Sequence, residues 1–407
     1  MTELLDRFLR YVKVDTQSAE GQTTVPSTAC QFDLARLLAS ELRELGLSDA
    51  VVTDNAYVMA SLPGNREGAP AIAFCAHLDT ATECSGKGVQ PRVVPNYDGG
   101  DLTLNAERGI VLSPRDFPEL KAYAGKTLVV TDGTTLLGAD DKGGIAAIMT
   151  AVAHLSAHPE LPHGKIVVCF CPDEEIGHGA ALWDLERWGA DFAFTVDGDG
   201  VDTFSYETFN AARADVAFTG VSVHPGSAKN VMRNAAMCAV EFAASLPPAE
   251  TPEHTEGREG YYHLTGIEGG VERAVAHYNI RDHDSARFAA RKQHFVLLAC
   301  QLNERWGAQV ASVDMRDQYY NMAVPLQKRP DIVENALKAY EMAGVTPRIV
   351  ATRGGTDGSQ LSFRGLLTPN IFVGCGNCHG PFEYAVVEAM EQAAQIVLNI
   401  VSLYAKA

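Results

Sequence analysis

Two runs of this chain are apolar from end to end and close on acid or histidine. AIAFCA (71–76) runs into His77-Leu78-Asp79, and IVVCFC (166–171) runs into Pro172-Asp173-Glu174-Glu175. Ile166, Val167, Val168 and Phe170 show no alternation, so that strand is expected to be buried on both faces, as in a parallel sheet covered by helices. Open sheets of that kind hold ligands at the carboxyl edge of their strands. Glu174 and Glu175 would stand there side by side, and like charges so close repel unless cations absorb them. An isolated Glu-Glu pair is more often a solvated acidic turn, so its meaning depends on what else reaches the same edge.

The first half alternates strand-like and helix-like segments. Ser27 is placed to cap a helix carrying Leu34, Leu37, Leu38, Leu42 and Leu45, with Gly46 as its stop. Strands at 71–76 and 127–131 follow, then a helix over 143–157 and the strand ending at Cys171. This order predicts an α/β fold, a mostly parallel sheet with helices on both faces. Residues 83–119, rich in Gly, Pro and charge, read as a structured surface excursion. From about Thr208 the pattern changes: 214–219, 274–281 and 308–315 alternate, 235–246 and 288–306 are helical in period, and 247–258 is a polar, Pro-rich loop. These fit an antiparallel α+β domain with helices on one side, inserted at 208–322 between the two parts, 1–207 and 323–407, of the first domain. The last helix puts Val386, Met390, Ala393, Val397 and Val401 on one buried face.

A hydrophobic fraction of 46% over 407 residues suffices for two cores. The net charge of −18 would repel nucleic-acid backbones and anionic membranes, so neither is an expected partner. Leu5, Phe8, Leu9 and Val12 share a helical face near the start but are interrupted by charge, unlike a signal peptide, and no apolar run reaches membrane-spanning length. Nine cysteines, an odd number scattered through a long chain, suit free thiols and a cytoplasmic location.

Three further segments bring acid or histidine to an expected strand end. Asp197-Gly198-Asp199 follows another apolar strand, Gly138-Ala139-Asp140-Asp141-Lys142-Gly143-Gly144 precedes the helix, and Cys378-His379-Gly380 follows NIFVG. Taken singly, a His-x-Asp is a hydrogen-bonded pair, Asp140-Asp141 a helix cap, the Asp197 segment a turn and Cys378-His379 a polar loop. Strand ends of that composition gathered at one edge of one sheet are harder to reach by chance. If Asp140, Glu175 and Asp197 converge with neutral His77 and His379, two divalent cations set four positive charges against three negative ones, which leaves room for one hydroxide. Imidazole and carboxylate without thiolate favour Zn2+, with Mn2+ or Co2+ as substitutes in vitro.

AHLDT, LLGADDKGG, PDEEIG, TVDGDG, VHPGSAKN, YNIRDHD, RGGTDGSQLSF and NIFVGCGNCHG, in this order, resemble the dinuclear zinc exopeptidases over nearly the whole chain. The resemblance implies that His77 and Asp197 hold one zinc, that Glu175 and His379 hold the other, and that Asp140 bridges them. It implies that Asp79 orients His77 and that Glu174 is the general base, moving a proton from water to the leaving amine. A cis peptide at Asp140-Asp141 is implied too, as is a lid role for the inserted domain. In that lid His224 would steady the oxyanion, while Arg281 and Arg353 would fork onto the substrate carboxylate. For His224 a cap before Pro225, and for either arginine a structural ion pair, stays open.

The activity implied is removal of the amino-terminal residue from short peptides, tripeptides above all if the far carboxylate is anchored. An N-acyl amino acid hydrolase or a carboxypeptidase on the same dizinc scaffold is the alternative. Inserted sheets of this family can pair edge to edge, so a homodimer through the lid is an expectation of the resemblance alone. The chain departs from the family pattern at Cys378, where an aromatic residue is usual, and at Gly380 to Glu383, where a basic residue and a second histidine are frequent. Cys375-Gly-Asn-Cys378-His379 also has the spacing of covalent haem attachment. Haem is attached in exported proteins, which this start does not suggest; the same two thiols would more simply make a labile disulfide.

Overall fold

The apolar runs form adjacent strands. In the computed structural model, which describes residues 2–406, Ile72–His77 lies between Ile166–Cys171 and Phe192–Gly198 and is parallel to both, with His77 opposite Cys171 and Ile72 opposite Phe192. Asn370–Phe372 continues the parallel set beside Phe192–Gly198. Outside this centre the direction reverses. Val58–Leu62 runs antiparallel to Ile166–Cys171 and pairs with Val51–Val52, Thr203–Thr208 runs antiparallel to Asn370–Phe372, and Arg348–Thr352 completes a sheet of eight strands.

Successive side chains of a strand point to opposite faces, and both faces of this sheet are covered. Ala73, Cys75, Val167, Cys169 and Ala193 pack with Trp183, Trp188 and Leu361. On the other face Phe74 stacks with Phe194, and the Phe192 ring centroid is 4.7 Å from that of Tyr404 in the last helix, Val387–Ala405. Helix Ala139–Ala157 packs on the central strands and on the last helix. Burial on both sides is the reason these strands carry no polar alternation. Among the described residues no helix is long and apolar enough to cross a membrane.

Two expectations change. Leu128–Val130 is not a strand of the main sheet; it pairs antiparallel with Tyr384–Val386 and Arg92–Val94, and with Cys375–Gly376 these make a separate four-stranded sheet. Its three residues are all buried, so their pattern holds no information about which sheet they join. Ser27 caps no helix: helix Gln31–Glu44 starts behind Cys30, and Ser27 bonds to Asp173 instead. The excursion at 83–119 is structured, holding Arg92–Val94 and the hairpin of Leu102–Asn105 with Ile110–Leu112.

By internal contacts the chain divides into Met1–Tyr206, Val324–Val350 and Thr356–Ala407 as one unit, and Glu207–Ala323 with Ala351–Gly355 as another. The second unit is an antiparallel sheet in the order Tyr261–Gly269, Arg273–Asp282, Asn210–Thr219, Ala311–Tyr319. Ala212, Ala214, Val216 and Phe218 alternate inward with Ala274, Ala276, Tyr278 and Ile280, against helices Ala235–Ser245 and Ser285–Trp306. The intervening residues include Arg213, Asp215, His277 and Asn279, so only one face is apolar. Phe295 is the hub of this core, its ring centroid 5.0 Å from those of both Phe242 and Tyr278. Phe295→Ala is expected to cost about 3–5 kcal/mol, read as a fall in the denaturant midpoint. A cost under about 1 kcal/mol would mean that the ring cluster contributes little to stability.

Candidate metal centre

Three neighbouring parallel strands finish at one edge, so strand order alone delivers His77, the Glu174-Glu175 pair and Asp197 to the same place. Asp140 and His379 arrive differently from the expectation that all came from ends of one sheet. Asp140 opens helix Ala139–Ala157, and His379 lies in the loop between the small-sheet strands Cys375–Gly376 and Tyr384–Val386. Two glycines let that helix in: a Cβ on Gly144 would overlap the Val196 carbonyl, and one on Gly143 would overlap the Val373 side chain. The Asp140-Asp141 peptide is cis. Asp141 spends its carboxylate on backbone, Oδ2 accepting from the His77 N–H and Oδ1 from the Gly144 N–H, each at 3.1 Å.

Five side chains form two triads. His77 Nε2 is 2.9 Å from Asp140 Oδ1 and 3.5 Å from Asp197 Oδ1; His379 Nε2 is 3.1 Å from Glu175 Oε2 and 3.4 Å from Asp140 Oδ2. Each triad, His77-Asp140-Asp197 and Asp140-Glu175-His379, has its donor atoms within 4.8 Å of one another and could hold a metal ion. Asp140 belongs to both, one oxygen facing each histidine. Glu175 Oε1 is buried without a hydrogen-bond partner among the described residues, an arrangement that is costly unless something positive meets it.

The electrostatics ask for the same thing. Burial pushes the Glu175 carboxyl up to about 7 and that of Asp197 up to about 6, against the pull of the neighbouring imidazoles. Burial, then the Asp197 charge, lifts Glu174 well above the usual carboxylate range. Asp140 and Glu175 in turn drive His379 up to about 11. Left to itself the protein balances its carboxylates by protonating imidazole. Divalent cations would supply that charge and leave both Nε2 atoms free to coordinate, so the donor set and the orphaned Glu175 oxygen fit two metal ions.

Hydrogen bonds to the main chain hold these residues in place. The Asp79 carboxylate accepts from the N–H of Glu174 at 3.0 Å and of Glu175 at 3.2 Å. His77 Nδ1 is closer to the Asp79 carbonyl, 3.0 Å, than to its carboxylate, 3.4 Å. The grip of Asp79 on the glutamate pair was not foreseen, because a carboxylate bonded to amides leaves no mark in composition. Asp173, at a left-handed φ of +57°, is anchored by the Ser27 N–H and hydroxyl, both at 2.6 Å, and by Gln31 Nε2 at 2.7 Å. The Glu174 carboxylate itself has no hydrogen-bond partner among the described residues.

The three residues expected to meet substrate all lie in the second unit. His224 is exposed, and its Nδ1 accepts from the Gly226 N–H at 3.1 Å, capping the turn Pro225–Ser227. Buried Arg281 lies over the Tyr319 ring and donates to the carbonyls of Ala212 and Ile280, each at 3.1 Å. Arg353 stacks on Phe209 and Tyr261 and donates to the carbonyls of Gly257 and Glu259 and to Thr255 Oγ1. Neither arginine makes an ion pair among the described residues. Cys375 and Cys378, both free thiols, have their sulfurs 3.4 Å apart. The Cys378 contact pulls the Cys375 thiol down, but burial and nearby carboxylates lift it to about 12, which makes it a slow nucleophile.

A sheet with a parallel centre, carrying at its edge two imidazole–carboxylate triads that share one aspartate, is the construction of a two-metal hydrolase. Residues 127–403 match Peptidase family M20/M25/M40. The chain belongs to that family. Proteins described as Peptidase T from Shouchella clausii and Halothermothrix orenii are 53% and 50% identical to it over 405 and 406 residues, covering 99% and 100% of this chain and 98% and 100% of their own. Among solved structures, an aminopeptidase from Bacillus cereus and a tripeptidase from Staphylococcus aureus each align with a TM-score of 0.79, at 23% and 20% identity, covering 99% and 100% of this chain and 98% of each of theirs. A dinuclear metal-binding peptidase of family M20 from Bacillus subtilis aligns at 0.66 and 15% identity, covering 99% of this chain and 98% of its own. At those identities the structures speak to the fold: α/β, with a separate antiparallel sheet.

Proposed function

We propose that this chain is a cytoplasmic dizinc aminopeptidase that removes the amino-terminal residue of short peptides, tripeptides above all. The observation that carries the chemistry is Asp140, whose two oxygens face two different histidines. His77 and Asp197 would hold one zinc and Glu175 and His379 the other, with Asp140 between them; Mn2+ or Co2+ could replace zinc at a site of nitrogen and oxygen donors. Bound there, the cations would supply Lewis acidity toward the peptide carbonyl and toward water. Glu174, unengaged by its neighbours, takes the proton of that water and hands it to the leaving amine. Asp79 keeps Glu174 in place through its main-chain N–H. Arg281 and Arg353, cations without ionic partners among the described residues, are the candidates to receive the far carboxylate, and His224 the oxyanion. The tripeptide preference is supported by the relatives described as Peptidase T, about half identical to this chain over nearly its whole length.

Initial rates on free peptides of two, three and four residues, and on an N-acetylated tripeptide, test this reading. The free tripeptide is expected to be hydrolysed fastest and the acetylated one not at all. Comparable rates at every length would remove the length rule, and cleavage of the acetylated peptide would favour an N-acyl amino acid hydrolase or a carboxypeptidase.

A further inference from the structure

Four residues beyond His379 the chain reaches Glu383, whose buried carboxylate makes no ion pair among the described residues. It accepts three backbone N–H groups instead: Oε2 those of Leu137 at 2.7 Å and Gly138 at 2.8 Å, and Oε1 that of Asp140 at 3.1 Å. Gly138, at φ +76°, turns this stretch so that its amides converge on one point, a backbone concavity suited to an anion. One side chain thereby joins the loop that carries His379 to the loop that carries Asp140. The strands at the bases of these loops are already paired, Tyr384 opposite Val130 and Val386 opposite Leu128. That ladder holds the bases of the loops, and the bonds of Glu383 act on the loops beyond it.

We propose that Glu383 is a positioning residue for the cation held by Asp140, Glu175 and His379, fixing the shared aspartate at the separation from His379 that binding requires. This rests on the ligand assignment above. Asp140 serves both triads, but the other two ligands of its partner triad, His77 and Asp197, come from strands of the main sheet that Glu383 does not touch, so loss of Glu383 falls hardest on the site where Asp140 and His379 both sit on the loops it joins. Partners that hold a ligand in place typically account for about 10- to 100-fold in metal affinity.

The test is calorimetric titration of the chelator-stripped full chain with Zn2+, comparing wild type with Glu383→Gln, Glu383→Ala and Glu388→Gln. Glu388 also grips a backbone amide, that of Thr127 at 3.0 Å from each oxygen, but at the far end of the small-sheet strand, and so serves as a control. Wild type is expected to take up two equivalents. Glu383→Gln keeps the shape but turns an N–H donor toward one of the amides; it is expected to lose about 10-fold or more in affinity for one equivalent and clearly less for the other, and Glu383→Ala at least as much. Excess Zn2+ should restore the rate of the Gln variant with KM unaltered, and Glu388→Gln should bind like wild type. Two wild-type affinities in Glu383→Gln would overturn the proposal, as would an equal loss in Glu388→Gln, which would signal general loosening. Fewer than two equivalents in wild type would overturn the ligand assignment itself and the proposal with it.

Discussion

Glu174→Gln is expected to keep both metals and lose about 10²- to 10⁴-fold in kcat, the usual worth of a positioned general base. The substitution changes little else: the side chain bonds to nothing described, and the N–H that Asp79 holds belongs to the backbone. Glu175→Gln, one residue on, is expected to fail differently, because Glu175 Oε2 faces His379 Nε2 at 3.1 Å. It should release one metal, with activity returning as metal is added. Metal content after dialysis, measured beside single-turnover rates, separates the two. A fully active Glu174→Gln enzyme would sink the mechanism.

Asp140→Asn is expected to cost more than the loss of any other ligand. Each Asp140 oxygen serves a different triad, so an amide there turns an N–H donor toward one of the histidines and removes the shared negative charge from both sites. The purified variant should carry close to no metal, whereas His77→Ala or His379→Ala should each retain about one equivalent. Elemental analysis of the three proteins decides it. Retention of one equivalent by Asp140→Asn would assign the aspartate to a single site.

The edge of the main sheet was legible because parallel strands lack alternation and end in acid or histidine, and both signals are compositional. The cis peptide at Asp140-Asp141 came from the family resemblance and could not have been read from propensity. The small sheet was not legible: three buried residues at Leu128–Val130 fit any sheet, and their partners Tyr384–Val386 lie far along the chain. Ser27 looked like a cap because cap and anchor ask for the same hydroxyl, and only the fold brings Asp173 to it. Glu383 read as part of a departure from the family pattern, since a carboxylate that binds main-chain amides has no charged partner in sequence to announce it. The assignment of Ala351–Gly355 to the second unit was equally hidden, as five residues carry no periodicity of their own.

Asp79, Asp141, Asp173 and Glu383 each spend a carboxylate on backbone amides of the loops around the cluster. The consequence concerns time. A socket whose walls are fastened by the protein's own anions does not need the ion as a folding nucleus, so stripping and reloading should proceed at the pace of ion escape and entry, not of refolding. A chain stripped of one ion should then take up another without passing through an unfolded state, and the donor set, together with supply, decides which ion it keeps.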